Sequence, residues 1–236
     1  MPDRSPSRPF DARLEAHPPI DKTLVQDQLD LFAENSTSAW FAPTLLTSGC
    51  QPYAYKVFFG IQPRFPDNSH RARLMVELLG KYGSERAKLM LPAHLHVTLL
   101  EVATFDEPLA RQVLDAAEAA AAGVSFQPFD LLFDRFASFP RGDANMLRCA
   151  PASHDATVQL RRQLASRLKR FGLMRQASSD PHMTIFHDPV RRHAQIALDE
   201  PLVGQAADFA LILSYQGCTV HETLSVWPRQ LDSSTR

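Results

Sequence analysis

The 236-residue chain lacks the sequence features of secreted proteins, of membrane-spanning proteins and of proteins stabilised by a structural zinc ion. Its three cysteines, Cys50, Cys149 and Cys218, are widely spaced and form no Cys-x-x-Cys pair, which argues against disulfides and a structural zinc site. No apolar run approaches the roughly eighteen residues of a membrane span, and no apolar signal segment lies near the N-terminus. We therefore expect a cytoplasmic globular protein with buried thiols and no membrane association.

An excess of either charge is also lacking, because the formal net charge is -1. Without a global basic field, the chain does not suit a protein that coats nucleic acid nonspecifically, but it is compatible with a small or terminal phosphate ligand. A hydrophobic content of 44% is enough for a packed core in one large domain or two small lobes. No apolar periodicity is left over once that core is assigned, so we expect a monomer with no stable protein partner.

The composition divides the chain into three regions. Prolines, serines and charges fill residues 1–20, a composition typical of a flexible tail, and leucines at helical spacing in 21–35 favour a short helix. We therefore predict an N-terminal extension over 1–52, a folded domain over 53–230 and a short C-terminal tail over 231–236.

Hydrophobic periodicity predicts alternating strands and helices within the folded domain. In the first half the predicted strands and helices are, in order, 55–61, 68–82, 94–102, 106–122 and 125–133. Strand, helix, strand recurs in the second half, with a strand over 145–150, a helix over 153–171 and a strand near His182. Ser153 is the expected N-cap of the second-half helix, and Gly172 is its expected end.

The most informative motif is a His-x-Thr cassette that occurs at residues 96–99 and again at 182–185. Side chains at i and i+2 of a strand share a face, so each cassette presents an imidazole beside a hydroxyl. A strand-ending proline precedes the first cassette histidine by 33 residues and the second by 31 residues. This near-equal spacing indicates an internal duplication in which the two histidines form one site.

A third His-x-Thr sequence begins at His221, and so short a motif arises readily by chance. No predicted helix precedes it, and residues 209–215, the turn Gln216-Gly217 and residues 221–227 are typical of a β-hairpin. We therefore interpret His221 as part of a returning hairpin strand and its match to the cassette as coincidental.

Several segments around the two cassettes resemble the 2H phosphoesterase superfamily, specifically the RNA 2',3'-cyclic phosphodiesterases that are also called 2'-5' RNA ligases. The similarity lies in the opening strand at 57–63, the segment at 132–139, the second cassette with its preceding Ser-Asp-Pro at 179–184, and the closing strand at 224–228. Together these segments extend the resemblance over about residues 55–228.

The resemblance implies an α+β fold of two pseudo-twofold duplicated lobes, each with an antiparallel-rich sheet, helices packed outside and an active-site cleft between the lobes. It also implies a substrate, a 2',3'-cyclic phosphate on an RNA 3' end or a small nucleotide, that water opens to a 2'-phosphomonoester. By position, His96 is the expected proton donor and His182 the expected proton acceptor. Thr98 and Thr184 are then expected to hydrogen-bond the phosphoryl oxygens.

Physical chemistry supports this division, because opening a cyclic phosphodiester needs one base and one acid, and histidine serves as either near neutral pH. Hydroxyls fixed beside each ring can stabilise the developing charge without a metal. A metal site that combined His94 and His187 with the two cassette histidines is the competing interpretation, but no spacing identifies a carboxylate partner. We therefore expect no metal and no cofactor.

The resemblance also indicates where this chain departs from its relatives. They often carry arginine five residues after the second cassette histidine, where this chain has His187. The phosphate charge can then be met by Arg135, Arg141 or backbone amides. Candidate platforms on which a base could stack are Phe136, Phe139 and Tyr215, and each of them is equally compatible with a position in the core.

The second long helix is basic, which is most often the mark of a solvated face but can also steer an RNA end. Its cations, with one that follows it, are Arg161, Arg162, Arg167, Lys169, Arg170 and Arg175. Two other functions stay open at this stage. The protein could be a nucleotide- or RNA-end-binding module with little catalysis, or a 2'-5' RNA ligase that runs the same chemistry in reverse.

Overall fold

The computed structural model describes residues 55–105, 111–140, 142–173, 180–215 and 220–228. The predicted N-terminal extension with its helix, the C-terminal tail and the hairpin turn lie outside the described residues. So do Cys50, Cys218, Arg141 and Arg175. Across the described segments, no helix is long and apolar enough to cross a membrane.

Nine strands and three α-helices follow one another along the described segments. The strands are β1 (Tyr55–Ile61), β2 (Lys88–Leu89), β3 (Val97–Phe105), β4 (Phe129–Ser138), β5 (Ala144–Cys149), β6 (His182–His187), β7 (Ile196–Ala206), β8 (Phe209–Tyr215) and β9 (Val220–Trp227). The helices are α1 (Asn68–Tyr82), α2 (Arg111–Ala122) and α3 (Pro151–Arg170). These elements confirm the predicted strand, helix, strand order around each cassette. The strand predicted over 125–133 begins only at Phe129, and β2 and β7 have no predicted counterpart.

The strands form one antiparallel sheet in the order β7-β4-β5-β6-β3-β1-β8-β9, with β2 paired to β6. The fold is therefore a mixture of helices and strands built on a large antiparallel sheet, as the α+β prediction requires. The two cassette strands, β3 and β6, are neighbours in the middle of this sheet. They pair at a single position, Val97 with Met183. The strand order thus brings together two cassettes that are far apart in the sequence.

Local sequence explains where the helices begin and end. The Asp67 carboxylate accepts a hydrogen bond from the backbone N–H of His70 at 2.9 Å and caps α1. Pro151 begins α3, where an N–H would have no partner within the helix. The predicted cap of α3 is wrong, because Ser153 lies inside the helix and its hydroxyl donates to a carbonyl of β4 at 2.9 Å. Gly172, with φ of +74°, ends α3 as predicted.

The hydrophobic core joins one face of the sheet to the helices, and Phe136 lies at its centre. This side chain has no exposed surface, and its ring lies 5.0 Å from that of Tyr82 and 5.8 Å from that of Phe186, measured between centroids. The prediction that Phe136 binds substrate is therefore wrong, because a side chain enclosed by the core cannot reach a ligand. Cys149 is the buried thiol that was predicted, and burial raises its pKa to about 12.

Candidate active site

The two cassettes lie side by side on the sheet face opposite the core. Val97 and Met183, which pair across β3 and β6, are fully buried. Neighbours along a strand point to opposite faces, so the residues that flank this pair point away from the core. These residues are His96, Thr98, His182 and Thr184. Because the strands are antiparallel, the histidine of each cassette lies alongside the threonine of the other.

A β-bulge in each cassette strand extends this shared face. The pairing registers skip Leu99 in β3 and Ile185 in β6, which in each case is the third residue after the cassette histidine. An extra residue shifts the alternation by one, so the fifth residue after each histidine returns to the cassette face. That residue is Glu101 in β3 and His187 in β6. The bulge therefore places His187 on the face that carries His182.

His187 is held there by a carboxylate. Its Nδ1 lies 2.9 Å from Oδ1 of Asp143, and its side chain is 41% exposed. The hydrogen bond with His187 lowers the pKa of Asp143 below its ordinary value. At this position the chain thus presents a partly exposed imidazole oriented by a carboxylate.

Matching hydrogen bonds set the tautomer of both cassette histidines. Nδ1 of His96 lies 2.7 Å from the carbonyl oxygen of His94, and Nδ1 of His182 lies 2.9 Å from the carbonyl oxygen of Asp180. A carbonyl can only accept, so Nδ1 of each ring carries a proton and donates it. Nε2 is therefore the nitrogen that exchanges a proton in both rings.

Burial controls the proton affinity of both cassette histidines. The pKa of His96 is lowered to about 4, chiefly by burial and to a smaller extent by the charge of His182, against the raising effect of the hydrogen bond at Nδ1. Burial also lowers the pKa of His182, and the cations Arg148 and Arg161 add to the effect. Both rings are therefore uncharged near neutral pH in the free protein. A bound phosphate anion would favour protonation of one of them.

Two arginines near the second cassette were not predicted from the sequence to belong to the site. Arg148 pairs with His182 across β5 and β6, and its Nη1 lies 3.0 Å from the Asp180 carboxylate. Arg161 points inward from α3, is 6% exposed and donates from Nη2 to the carbonyl of Thr98 at 3.1 Å. The expectation that Arg161 belongs to a solvated basic face is therefore wrong.

A third histidine packs against the first cassette. β8 and β9 form the predicted hairpin, in which His221 lies opposite Ser214. Even so, the His221 ring lies 5.1 Å from that of His96 and 5.0 Å from that of His94, measured between centroids. The ring of Phe58 lies 4.9 Å from that of His96. The prediction that His221 lies on the returning strand of a hairpin is therefore confirmed, and its ring in addition packs against the first cassette histidine.

Replacing His221 by phenylalanine is expected to make the protein less sensitive to acid. Burial lowers the pKa of His221 to about 3, from an ordinary value of 6.5 that applies to the unfolded chain. The unfolded chain therefore binds a proton that the folded protein does not, and stability is lost as the pH falls from 6.5 toward 3. The substitution removes this contribution but keeps a planar ring. Denaturant unfolding between about pH 7 and 4 should show a shallower loss of stability in His221→Phe than in the native protein.

Ser225→Ala is the matched control on the same strand. Ser225 faces α2, where its hydroxyl donates to Glu118 at 2.6 Å, and no imidazole contacts it among the described residues. We expect this variant to lose a similar amount of stability at every pH. A curve for His221→Phe that ran parallel to the native curve would show that His221 is not held uncharged by burial.

The other residues predicted to contact substrate are Arg135, Tyr215 and Phe139, and they differ in the contacts that they make within the protein. Arg135 donates from Nε to the neighbouring carboxylate and from Nη2 to a carbonyl of β5, both at 2.7 Å. Tyr215 donates its hydroxyl to Glu222 at 2.9 Å. The ring of Phe139 lies 5.7 Å from that of His182, measured between centroids. Of the three aromatic candidates, Phe139 is therefore the one placed against a cassette histidine.

The face as a whole combines uncharged imidazoles and hydroxyls with nearby guanidinium groups. Such a set can move protons and attract an anion. In the parts of the chain that are described, no group of three or more His, Cys, Asp or Glu side chains is placed to hold a metal ion. The imidazoles, hydroxyls and guanidinium groups themselves offer acid–base and anion-binding chemistry.

Two matched His-x-Thr strands lie at the centre of the antiparallel sheet. A comparison with known protein families identifies the class of protein that has this arrangement. Residues 66–212 match the family model of the 2'-5' RNA ligase superfamily. Because this match covers more than half of the chain, the protein belongs to that superfamily, and the resemblance to 2H phosphoesterases is confirmed. β9, which carries His221, lies outside the matched residues.

The fold is also similar to those of solved structures at low sequence identity. E. coli LigT complexed with NADP+ is 17% identical with a TM-score of 0.57, over 74% of this chain and 97% of that one. A phosphoesterase is 18% identical with a TM-score of 0.56, over 73% and 96%. TT0787 of Thermus thermophilus is 20% identical with a TM-score of 0.54, over 72% and 96%. At these identities the similarity shows the fold alone, and no curated protein sequence matches the chain.

Proposed function

We propose that the protein hydrolyses 2',3'-cyclic phosphates, on RNA 3' ends or small nucleotides, to 2'-phosphomonoesters. The observation that carries this proposal is the convergence of two histidines and two threonines on one face, with both rings in the same tautomer. Membership of the superfamily supports phosphoester chemistry in general. Structures of E. coli LigT contain phosphate, 3'-AMP, ATP or NADP+, which are ligands of the phosphate chemistry that this face suits.

In the proposed reaction, Nε2 of His182 accepts a proton from water as the water oxygen bonds to phosphorus. The bond between phosphorus and the ribose 3' oxygen breaks, and His96 gives the proton on its Nε2 to that oxygen. The hydroxyls of Thr98 and Thr184 donate to phosphoryl oxygens as negative charge develops. The 2'-phosphomonoester leaves, and solvent returns one proton from His182 to His96. No metal or cofactor takes part in this scheme.

Substrate binding provides the charge that this scheme needs. His96 has a pKa of about 4 in the free protein, so near neutral pH its Nε2 carries a proton only when a negative charge is placed beside the ring. The phosphate of the substrate is such a charge. Since His182 is also uncharged near neutral pH in the free protein, it can act as the base without further change.

We also propose that the fold is the predicted pair of duplicated lobes. Apart from β2, which lies off the main path, the strand order is symmetric about the β6–β3 pair, with three further strands on each side. Each side holds a strand, helix, strand unit, β1-α1-β3 in one and β5-α3-β6 in the other, and each unit ends in a cassette. The bulges at Leu99 and Ile185 match as well. The site would then lie in the cleft between the lobes.

His187→Ala is expected to raise the KM for a nucleoside 2',3'-cyclic phosphate by roughly tenfold with little change in kcat. The imidazole lies on the cassette face, and a contact with phosphate or ribose that is equally strong in ground and transition states affects KM alone. Asp143→Asn is the matched variant, because it keeps the imidazole but weakens the partner that orients it. We expect a smaller rise in KM for Asp143→Asn, by initial-rate kinetics. An unchanged KM in His187→Ala would remove His187 from the binding site.

Hydrolysis can be separated from the two alternatives by product analysis. The protein is treated with EDTA and incubated with a nucleoside 2',3'-cyclic phosphate, and the ³¹P NMR spectrum is recorded. Replacement of the cyclic resonance by that of a 2'-monophosphate supports hydrolysis. Binding of a nucleoside monophosphate without turnover would instead indicate the binding module. Joining of an RNA with a cyclic phosphate end to an RNA with a 5' hydroxyl, without release of 2'-monophosphate, would indicate the ligase.

A further inference from the structure

Arg161 is a buried cation in the middle of the fold. It lies on the inner side of α3, between the core residues Leu160 and Leu164, and is 6% exposed. Burial lowers the pKa of its guanidinium below the ordinary value. Placing a charged group in such surroundings is costly unless its donors are used. Its contacts therefore indicate what it does.

One contact is to the first cassette. Nη2 of Arg161 donates to the backbone carbonyl of Thr98 at 3.1 Å. The pairing of β3 with β6 is limited to Val97 and Met183, so Thr98 lies where the ladder between the two halves of the sheet ends. The guanidinium thus adds a hydrogen bond between α3 and β3 at Thr98, the residue that follows the single Val97–Met183 pair.

Arg161 also interacts electrostatically with residues in and just before the second cassette strand. The charge of Asp180 raises the pKa of Arg161, and the charge of Arg161 lowers the pKa of His182. Asp180 also orients His182 directly, since its backbone carbonyl accepts a hydrogen bond from Nδ1 of His182. Its carboxylate forms an ion pair with Arg148 at 3.0 Å. A single side chain of α3 therefore acts on both cassettes.

We propose that Arg161 is a positioning residue of the active site. Its guanidinium fixes the first cassette strand through the Thr98 carbonyl, beside the one pairing position of β3 and β6, and so sets the spacing of the two histidines. It also adds a permanent positive charge for the phosphoryl anion. This inference rests on the proposed function for the reaction itself. The contact with Thr98 and the charge near His182 do not depend on the substrate.

Arg161→Met and Arg161→Lys separate the two effects. Methionine fills similar space without a charge, whereas lysine keeps the charge but loses the planar group of donors. Arg162→Met is the matched control, because Arg162 is the next residue of α3 and is exposed. The first readout is an NMR titration of the histidine rings in the protein without substrate. The second is kcat and KM for a nucleoside 2',3'-cyclic phosphate at pH 7.

In Arg161→Met we expect the pKa of His182 to rise toward its ordinary value and kcat to fall roughly 10- to 100-fold, because removal of the link displaces the first cassette. In Arg161→Lys the pKa of His182 should stay near the native value while kcat still falls. Arg162→Met should match the native protein in both readouts. If Arg161→Met fails to fold, the lysine variant still tests the geometric part through kcat.

Two results would overturn the proposal. One is a pKa of His182 that is the same in Arg161→Met and the native protein. The other is a native kcat in both Arg161 variants of a protein that hydrolyses the substrate. If the native protein hydrolyses no cyclic phosphate but the pKa of His182 rises in Arg161→Met, the proposed reaction fails while the influence of Arg161 on the second cassette stands.

Discussion

Replacing His96 or His182 by alanine is expected to lower the turnover of a nucleoside 2',3'-cyclic phosphate by about 10²- to 10⁴-fold. In both rings Nδ1 is engaged by a backbone carbonyl, and Nε2 is the atom that transfers a proton. Alanine removes that atom, and water at neutral pH is a far weaker acid and base. The double variant should be only slightly slower than either single variant, because both rings act on the same step of the proposed reaction. Steady-state rates at about pH 7 in the presence of EDTA measure these effects.

His70→Ala is the control for loss of a histidine in general. His70 lies on α1, and its Nε2 is 3.7 Å from the carboxylate of Glu200 on β7, away from the cassettes. This variant should keep the native rate, and all variants should unfold at similar denaturant concentrations. Native turnover in both cassette variants would show that His96 and His182 are not the acid and base.

Phe136→Ala is expected to lower the free energy of unfolding by about 3–5 kcal/mol. The ring has no exposed surface and is stacked on that of Tyr82, with an angle of 18° between the ring planes. Removing it leaves a cavity where β4 meets α1, and the surrounding side chains cannot fully close it. Equilibrium denaturation in urea measures the loss.

Phe136→Leu is the matched variant, since leucine refills most of the space, and we expect it to cost about 1 kcal/mol. Folded molecules of both variants should bind substrate with the native KM, because the ring does not reach the cassette face. A small loss of stability in Phe136→Ala together with a large rise in KM would restore the substrate-binding role that the aromatic pattern first indicated.

Local patterns are sufficient to predict the cassette strands and the helices that precede them. A hydroxyl two residues after a histidine shares its face in any strand, and the proline stops and apolar spacing around each cassette are short-range signals. The buried thiol of Cys149 follows from composition in the same way. These features are predicted correctly because they depend on backbone geometry and on residues that are close in the sequence.

Features that depend on tertiary packing could not be predicted so easily. The sequence leaves open whether Phe136 and Tyr215 are stacking platforms or core residues, and only the packing of Phe136 against Tyr82 and Phe186 shows that it is enclosed. Arg161 was assigned to a solvated face because its helix is rich in cations. Its spacing from Leu160, Leu164 and Leu168 on the buried side of α3 was the available signal.

His221 and β7 illustrate two other limits. His221 reaches the first cassette although two strands, β1 and β8, lie between β9 and β3, and no spacing along the chain encodes that approach. β7 carries Asp199, Glu200 and Pro201, which do not indicate a strand. As the strand at one edge of the sheet, β7 can nevertheless accommodate a proline and charged side chains.

The most direct test of the two-histidine site is a structure of the protein bound to a nucleoside 2'-monophosphate, the proposed product. We expect the phosphate to lie within hydrogen-bond distance of Nε2 of both cassette histidines and of the hydroxyls of Thr98 and Thr184. A phosphate bound elsewhere on the protein, with neither Nε2 atom in contact with it, would contradict the assignment of the cassettes as one active site.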